Sequence, residues 1–148
     1  MKKIALLSLF IVLNCCAFGQ LSKPISWSYA VKKVNKTEAI LYFKAKLDKG
    51  WHTYAQNIKS EPMRLKFNFT PSKNFSLIGK TLQPKPISKY DNVVKMQLAY
   101  FEKEAVFTQR IKLNKSSTTI KAKIEFMVCN DKSCLPADEI TLIIPVKP

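Results

Sequence analysis

The sequence has 148 residues, with 25 Lys and Arg against 10 Asp and Glu, a formal net charge of +15 at pH 7, and 47% hydrophobic residues. This length fits one domain and excludes a polytopic membrane protein or a large two-domain enzyme. The hydrophobic content is enough for a core and excludes a disordered chain. With one His in the sequence, we expect neither a His-dependent catalytic triad nor a multi-His metal site.

Residues 1–19 have the pattern of a secretory signal peptide. Two lysines follow the first residue, residues 4–13 are almost wholly apolar, and Ala17 and Gly19 are the small residues that signal peptidase requires. The apolar run is shorter than the roughly 20 residues that span a bilayer. We therefore expect cleavage after Gly19, export to the periplasm, and a single domain over residues 20–148.

The cysteines divide between the signal and the exported chain. Lipidation at Cys15 or Cys16 is an alternative to cleavage, but the bulky Asn14 before them disfavours it. Cleavage leaves two cysteines, Cys129 and Cys134. Two cysteines this close in an oxidising compartment are expected to form a disulfide.

The positive charge is spread along the exported chain rather than concentrated in one run. Lysines alternate with apolar residues, which is typical of a solvated strand surface. We therefore expect no nucleic-acid partner. Attraction to an anionic membrane surface or to an acidic partner is left open.

Apolar and polar residues alternate with a period of two over almost all of the exported chain. No stretch of ten or more residues has the apolar spacing of a helix. The strand-like runs are residues 25–31, 41–47, 64–69, 93–100, 105–113, 119–128 and 139–146. Residues 77–92 contain three Pro or Gly and little periodicity, which predicts a long surface excursion. Strands with one apolar face predict an all-β fold, an immunoglobulin-like antiparallel β-sandwich of about seven to nine strands. A closed barrel is the alternative.

The alternation predicts where the first of the two cysteines points. Cys129 is in phase with Lys123 and Glu125, so we expect it on the solvent side, where a thiol is accessible for exchange. The four polar residues before Cys134 predict a hairpin whose ends are tied by the disulfide.

The spacing leaves open whether this disulfide is structural or exchanging. Loop-closure entropy predicts a stabilisation of only about 2 kcal/mol for so small a ring, which counts against a purely structural role. Two Cys and the distant His52 fall short of the four ligands of a zinc site, so no metal is expected. No phosphate-binding glycine loop or haem motif is present, so no cofactor is expected.

In combination, these features resemble the N-terminal periplasmic domain of the thiol:disulfide interchange protein DsbD family. The matching segments are GWHTYAQ at 50–56, YF at 100–101 followed by AVF at 105–107, and FMVCNDKSCLP at 126–136. The resemblance covers about residues 25–146. It implies an immunoglobulin-like sandwich in which Cys129 and Cys134 alternate between a redox-active disulfide and a dithiol.

The resemblance also implies a place in electron transfer. A membrane-embedded DsbD- or CcdA-like donor would reduce the pair, which would then reduce thioredoxin-like periplasmic proteins by thiol–disulfide interchange. The membrane and thioredoxin-like domains of the full-length family members are not among these residues, so we expect the donor in trans. Enzymatic turnover of its own is left open. The alternative function is a non-catalytic secreted β-sandwich that binds a partner and has a structural disulfide.

The resemblance further implies site residues. The family shields its cysteines with a loop of acidic and aromatic residues, and Tyr90 and Asp91 lie where that loop is expected. A half-buried Tyr90 at a strand start is the alternative.

Cys134 is favoured as the thiol that bonds to the downstream partner. Better-known members have five residues between the cysteines and this chain has four, so we do not carry over their ring geometry or redox potential. Three residues of the first matching segment are expected to lie in the core or at a sheet edge rather than to take part in the chemistry: Trp51, His52 and Tyr54.

Overall fold

The computed structural model describes residues 23–91 and 95–148, apart from the side chain of Asp91. The predicted signal peptide, its cleavage after Gly19, and the alternative of lipidation at Cys15 or Cys16 all lie outside the described residues. No helix that could cross a membrane is found in these two ranges.

The regular secondary structure of the described residues is entirely β. The eleven strands are β1 (Ile25–Lys33), β2 (Glu38–Leu47), β3 (His52–Tyr54), β4 (Lys66–Phe69), β5 (Phe75–Leu82), β6 (Ile87–Asp91), β7 (Met96–Glu102), β8 (Glu104–Leu113), β9 (Thr118–Phe126), β10 (Val128–Cys129) and β11 (Asp138–Val146). The predicted all-β, immunoglobulin-like fold is confirmed. The described residues contain more strands than the seven to nine expected, because several strands are short or lie at sheet edges.

The strands form three antiparallel sheets. Sheet I has the order β1-β2-β8-β5, sheet II the order β10-β3-β7-β6, and sheet III the order β11-β9-β4. In β2, β8 and β9, alternate residues are buried, as the period of two predicts. These three strands therefore have one face toward the core and one toward solvent.

An aromatic cluster joins the sheets. Trp27 of sheet I packs against Phe67 and Phe126 of sheet III, with ring centroids 6.1 and 5.7 Å apart. Phe107 of β8 contacts Phe67 at 5.2 Å and Phe101 of sheet II at 5.2 Å. Burial of large aromatic side chains is a major source of stability, and here it holds all three sheets around one core.

The prediction of a surface excursion over residues 77–92 is wrong. This segment contains most of β5, which pairs with β8, and β6, which pairs with β7. Both are edge strands, so much of their surface is exposed and their alternation is weak. The pairing of β5 also shifts register between Ile78 and Leu82, and Gly79 there has a φ of +67°. The side chain of buried Gln109 donates to the Ile78 carbonyl at this irregularity.

Candidate functional site

The chain changes sheets just before the first cysteine. β9 ends at Phe126, whose partner Asp138 begins β11, and the residues between them leave sheet III. They enter sheet II as β10, where Val128 lies opposite Thr53 and Cys129 lies opposite His52. Residues 127–137 are therefore an excursion from the β9–β11 pair that places both cysteines against sheet II.

The exposure predicted for Cys129 is wrong, because Cys129 is only 2% exposed. The prediction extended the alternation of β9 through Met127, but β9 has ended there. Pairing with β3 sets a new orientation, and Cys129 becomes buried while Cys134 is exposed. The two cysteines therefore differ sharply in accessibility.

The cysteines form a disulfide across a tight turn, as the sequence predicts. Their Cα atoms are 4.0 Å apart, and the two residues form an isolated antiparallel bridge. On either side of the bridge, the Asn130 amide donates to the Ser133 carbonyl and the Leu135 amide donates to the Val128 carbonyl, each at 2.9 Å. The turn is therefore a small hydrogen-bonded hairpin.

Asn130 organises the interior of this turn. Its Oδ1 accepts hydrogen bonds from the backbone amides of Lys132 at 2.9 Å and Ser133 at 2.8 Å. Asn side chains commonly stabilise turns in this way, because the short amide reaches backbone groups two or three residues ahead. The turn thus has hydrogen bonds of its own in addition to the disulfide.

The disulfide lies in the wall of an open cavity of about 700 Å³ on sheet II. Strands β3, β6 and β7 and the cysteine turn supply most of its lining. The lining residues are His52, Tyr54, Met63, Lys89, Tyr90, Leu98, Tyr100, Glu102 and residues 129–134. The cavity therefore brings together side chains that lie far apart in the sequence.

The two residues predicted to shield the cysteines lie on β6. Tyr90 is 54% exposed and lines the cavity, and it lies near the end of β6 rather than at its start. Asp91 is the last residue of β6 and pairs with Met96, and its side chain lies outside the described residues. Tyr90 lines the same cavity as the disulfide, and the shielding role of both residues stays a prediction.

The cavity contains a cluster of three rings, those of His52, Tyr54 and Tyr100, that we did not predict as part of the site from the sequence. The His52 ring lies 5.4 Å from that of Tyr54 and 5.0 Å from that of Tyr100, between centroids. Tyr54 is buried in the core and Trp51 packs half-buried against it, as predicted, whereas His52 is half-buried on the internal strand β3 and lines the cavity. Positions 52 and 54 share one face of a strand, and this was the available signal that both side chains point toward the same site.

Burial and two carboxylates set the electrostatics of the cavity. Burial lowers the pKa of His52, and Glu102 and Asp131 oppose that shift. Burial raises the pKa of Tyr100, and the same two carboxylates raise it further. The imidazole and the phenol are therefore both neutral at pH 7. In the ranges described, no cluster of three or more His, Cys, Asp or Glu side chains could bind a metal ion.

Comparison with known families gives one match over most of the chain. The model of the family "Thiol:disulfide interchange protein DsbD, N-terminal" matches residues 23–144. No curated protein sequence matches this one.

Three solved structures are similar in fold. The N-terminal periplasmic domain of ScsB from Proteus mirabilis has a TM-score of 0.61 at 15% identity, over 82% of this chain and 46% of that chain. The chain thus spans about half the length of that domain. The DsbD N-terminal domain of Neisseria meningitidis in the reduced form has a TM-score of 0.51 at 14% identity, over 81% of this chain and 86% of that chain.

The third similar structure is a complex. It contains the DsbD N-terminal and PilB N-terminal domains from Neisseria meningitidis, and the similarity has a TM-score of 0.53 at 11% identity, over 79% of this chain and 80% of that chain. At these identities, the three structures support the fold of the chain.

Proposed function

Since this chain belongs to the family of N-terminal domains of the thiol:disulfide interchange protein DsbD, we propose that Cys129 and Cys134 are a redox-active pair. The pair relays reducing equivalents from a membrane-embedded DsbD- or CcdA-like donor to exported thioredoxin-like proteins. The observation that carries the proposal is the position of the disulfide, at an open cavity with Cys134 exposed.

The unequal exposure of the cysteines supports a division of roles. In the dithiol form, the Cys134 thiolate attacks the acceptor disulfide, forms a mixed disulfide and releases the second acceptor sulfur as a thiolate. The Cys129 thiolate then attacks the Cys134 sulfur, re-forms the internal disulfide and releases the first acceptor sulfur. Two electrons and two protons pass from the pair to the acceptor.

The relatives support the proposed partners and compartment. A DsbD N-terminal domain of Neisseria meningitidis forms a complex with the N-terminal domain of PilB, so a domain of this fold docks a second protein. The similar ScsB domain is periplasmic, and residues 1–19 of this chain have the pattern of an export signal. We assign this chain to the periplasm on these two grounds.

Tyr90 and Asp91 belong to the proposal as shielding residues. Tyr90 lines the cavity beside the disulfide and is itself exposed, so its ring can limit the approach of small oxidants to the sulfurs. Removal of the ring should therefore speed the oxidation of the reduced pair by a small disulfide while leaving the fold intact.

A redox titration tests the proposed function. The protein is equilibrated with glutathione buffers of graded potential, and its thiols are then alkylated and counted by mass spectrometry. An exchanging pair should have a potential more oxidising than about −300 mV, whereas structural disulfides fall below that value. Persistence of the disulfide in the most reducing buffers would show that it is structural, as in a non-catalytic binding module.

A trapping experiment in cells tests the partners. The Cys129→Ser variant retains the exposed Cys134 but lacks the thiol that releases the mixed disulfide, so it should accumulate covalent complexes with exported proteins. The Cys129→Ser, Cys134→Ser double variant is the matched control and should accumulate none. Equal yields from the two variants would contradict the proposed relay.

A further inference from the structure

His52 has a position that the proposed function does not use. It is the only histidine in the sequence and lies directly opposite Cys129 in the pairing of β3 with β10. It is half-buried and lines the same cavity as both cysteines. A titratable ring therefore lies beside the buried cysteine of the pair.

The buried cysteine creates a requirement for a proton acceptor. Release of the mixed disulfide needs a thiolate at Cys129, yet burial disfavours the charged form of a thiol. We therefore expect the Cys129 proton to pass to a group that lines the cavity as the sulfur attacks.

The titratable groups that line the cavity together with His52 come from four parts of the fold. They are Tyr54 on β3, Lys89 and Tyr90 on β6, Tyr100 and Glu102 on β7, and Asp131 and Lys132 in the cysteine turn. Ammonium and phenol groups hold their protons at neutral pH and are donors, and carboxylates are weaker bases than imidazole. Imidazole is therefore the side chain in this set best suited to accept a thiol proton near pH 7.

The surroundings favour this use of the ring. Burial lowers the pKa of His52, so the imidazole is neutral and one of its nitrogens is unprotonated at pH 7. Glu102 and Asp131 interact favourably with the positive charge that appears once the ring is protonated. The cavity thus provides both a neutral base and two carboxylates that stabilise its conjugate acid.

We propose that His52 accepts the proton of Cys129 during release of the mixed disulfide, an inference that rests on the proposed relay function. The Cys129 proton passes to the imidazole as its sulfur attacks Cys134. The Cys129–Cys134 bond forms, the bond from Cys134 to the acceptor sulfur breaks, and the electron pair leaves on that sulfur. The leaving thiolate then takes the proton from the imidazolium, so His52 returns to its neutral form.

The two steps can be measured separately with oxidised glutathione. The reduced protein is mixed with oxidised glutathione at pH 5 to 8 and quenched in acid. Its free thiols are then blocked with a maleimide under mildly acidic denaturing conditions, and the protein is digested with trypsin. Lys132 lies between the cysteines, so cleavage after it places Cys129 and Cys134 in different peptides. Glutathione on the Cys134 peptide reports the mixed disulfide, and the linked pair of peptides reports its release.

We expect His52→Gln to slow release about 100-fold at pH 7, the effect of losing a general base, with the formation of the mixed disulfide unchanged. The wild-type release rate should show an inflection below pH 6.5 that is absent from the variant, because burial lowers the pKa of His52 from 6.5. His52→Ala should be slow as well and should recover when free imidazole is added. Tyr29→Gln is the matched control, since Tyr29 is an exposed ring on β1 outside the cavity.

Each outcome decides a specific claim. If neither the wild type nor Tyr90→Ala, which lacks the proposed shield, converts to the internal disulfide, the relay function itself is wrong. If the wild type completes both steps and His52→Gln releases glutathione at the wild-type rate with the same inflection, only the role of His52 is wrong. If His52→Gln does not fold, two other measurements decide the inference. A wild-type release rate without an inflection below pH 6.5 would overturn it. Recovery of the release rate of His52→Ala on addition of imidazole would support it.

Discussion

The hydroxyl of Thr53 donates a hydrogen bond of 2.9 Å to the carbonyl of Met127, where the chain passes from β9 to β10. Thr53 is fully buried, so this bond satisfies a hydroxyl that water cannot reach. It also ties β3 to the point at which the chain changes sheets. His52, one residue before Thr53, and Cys129, two residues after Met127, face each other next to this attachment.

We therefore predict that Thr53→Val lowers the free energy of unfolding by about 1–3 kcal/mol, because the carbonyl of half-buried Met127 loses its donor. Chemical denaturation with urea measures the loss. Thr53→Ser retains the hydroxyl and should be less destabilising. A Thr53→Val variant as stable as the Thr53→Ser variant would show that the hydrogen bond contributes little.

The unequal burial of the cysteines predicts unequal reactivity. In the reduced protein, Cys134 should be alkylated about tenfold faster than Cys129, which corresponds to a barrier difference of about 1.4 kcal/mol, because Cys129 is 2% exposed. A quenched time course with tryptic mass spectrometry assigns each site. Under denaturing conditions the two rates should become similar, and a persistent difference there would point to local sequence rather than burial.

The aromatic cluster predicts a large stability effect on the inward face of β9. Phe126→Ala should cost about 3–5 kcal/mol, since the side chain is buried and its loss leaves a cavity against Trp27. Lys121→Ala, on the exposed face of the same strand, should change stability by less than about 0.5 kcal/mol. Equal effects of the two substitutions would mean that the burial assigned to β9 is wrong.

The lowered pKa of His52 predicts a pH-dependent stability. The unfolded chain binds a proton at His52 more readily than the folded chain, so the folded state is favoured above pH 6.5 and loses this advantage as the pH falls through the lower folded pKa. Between pH 7.5 and 5, the wild type should therefore lose more unfolding free energy than His52→Gln.

Urea titrations at several pH values measure this difference. Three carboxyls with a lowered pKa, Glu61, Glu104 and Asp138, lose their own stabilising effect only below their reference values of 4.5, 4.5 and 3.8. Above pH 5, the difference in unfolding free energy between the wild type and His52→Gln therefore reports the titration of His52. Parallel stability curves for the wild type and His52→Gln in that window would contradict the predicted shift.

Local pattern predicted the parts of the fold in which one face of a strand is buried along its length. The residues of β2, β8 and β9 alternate because each strand lies between the core and solvent. β5 and β6 were missed because an edge strand has less of its surface in the core, and Gly79 and the register shift interrupt β5. Three residues, as in β3, are too few to show a period.

Only the part of the site formed by residues close together in the sequence was predictable. The cysteine turn follows from four polar residues between two cysteines, and its pairing and hairpin form are as expected. The burial of Cys129 depends on the pairing of β10 with β3, which is distant in sequence. For the same reason, the approach of Tyr100 to His52 follows from the pairing of β3 with β7 and leaves no local trace.

The hydrogen bonds of the cysteine turn have a consequence for the timing of exchange. The Asn130–Ser133 and Leu135–Val128 backbone bonds and the two amides bound by the Asn130 side chain do not involve sulfur. Reduction therefore leaves the two thiols as close neighbours, and closing the ring is an intramolecular reaction with a high effective molarity. In the relay that we propose, a covalent complex with a client protein would therefore be short-lived, because the second thiol is already within reach.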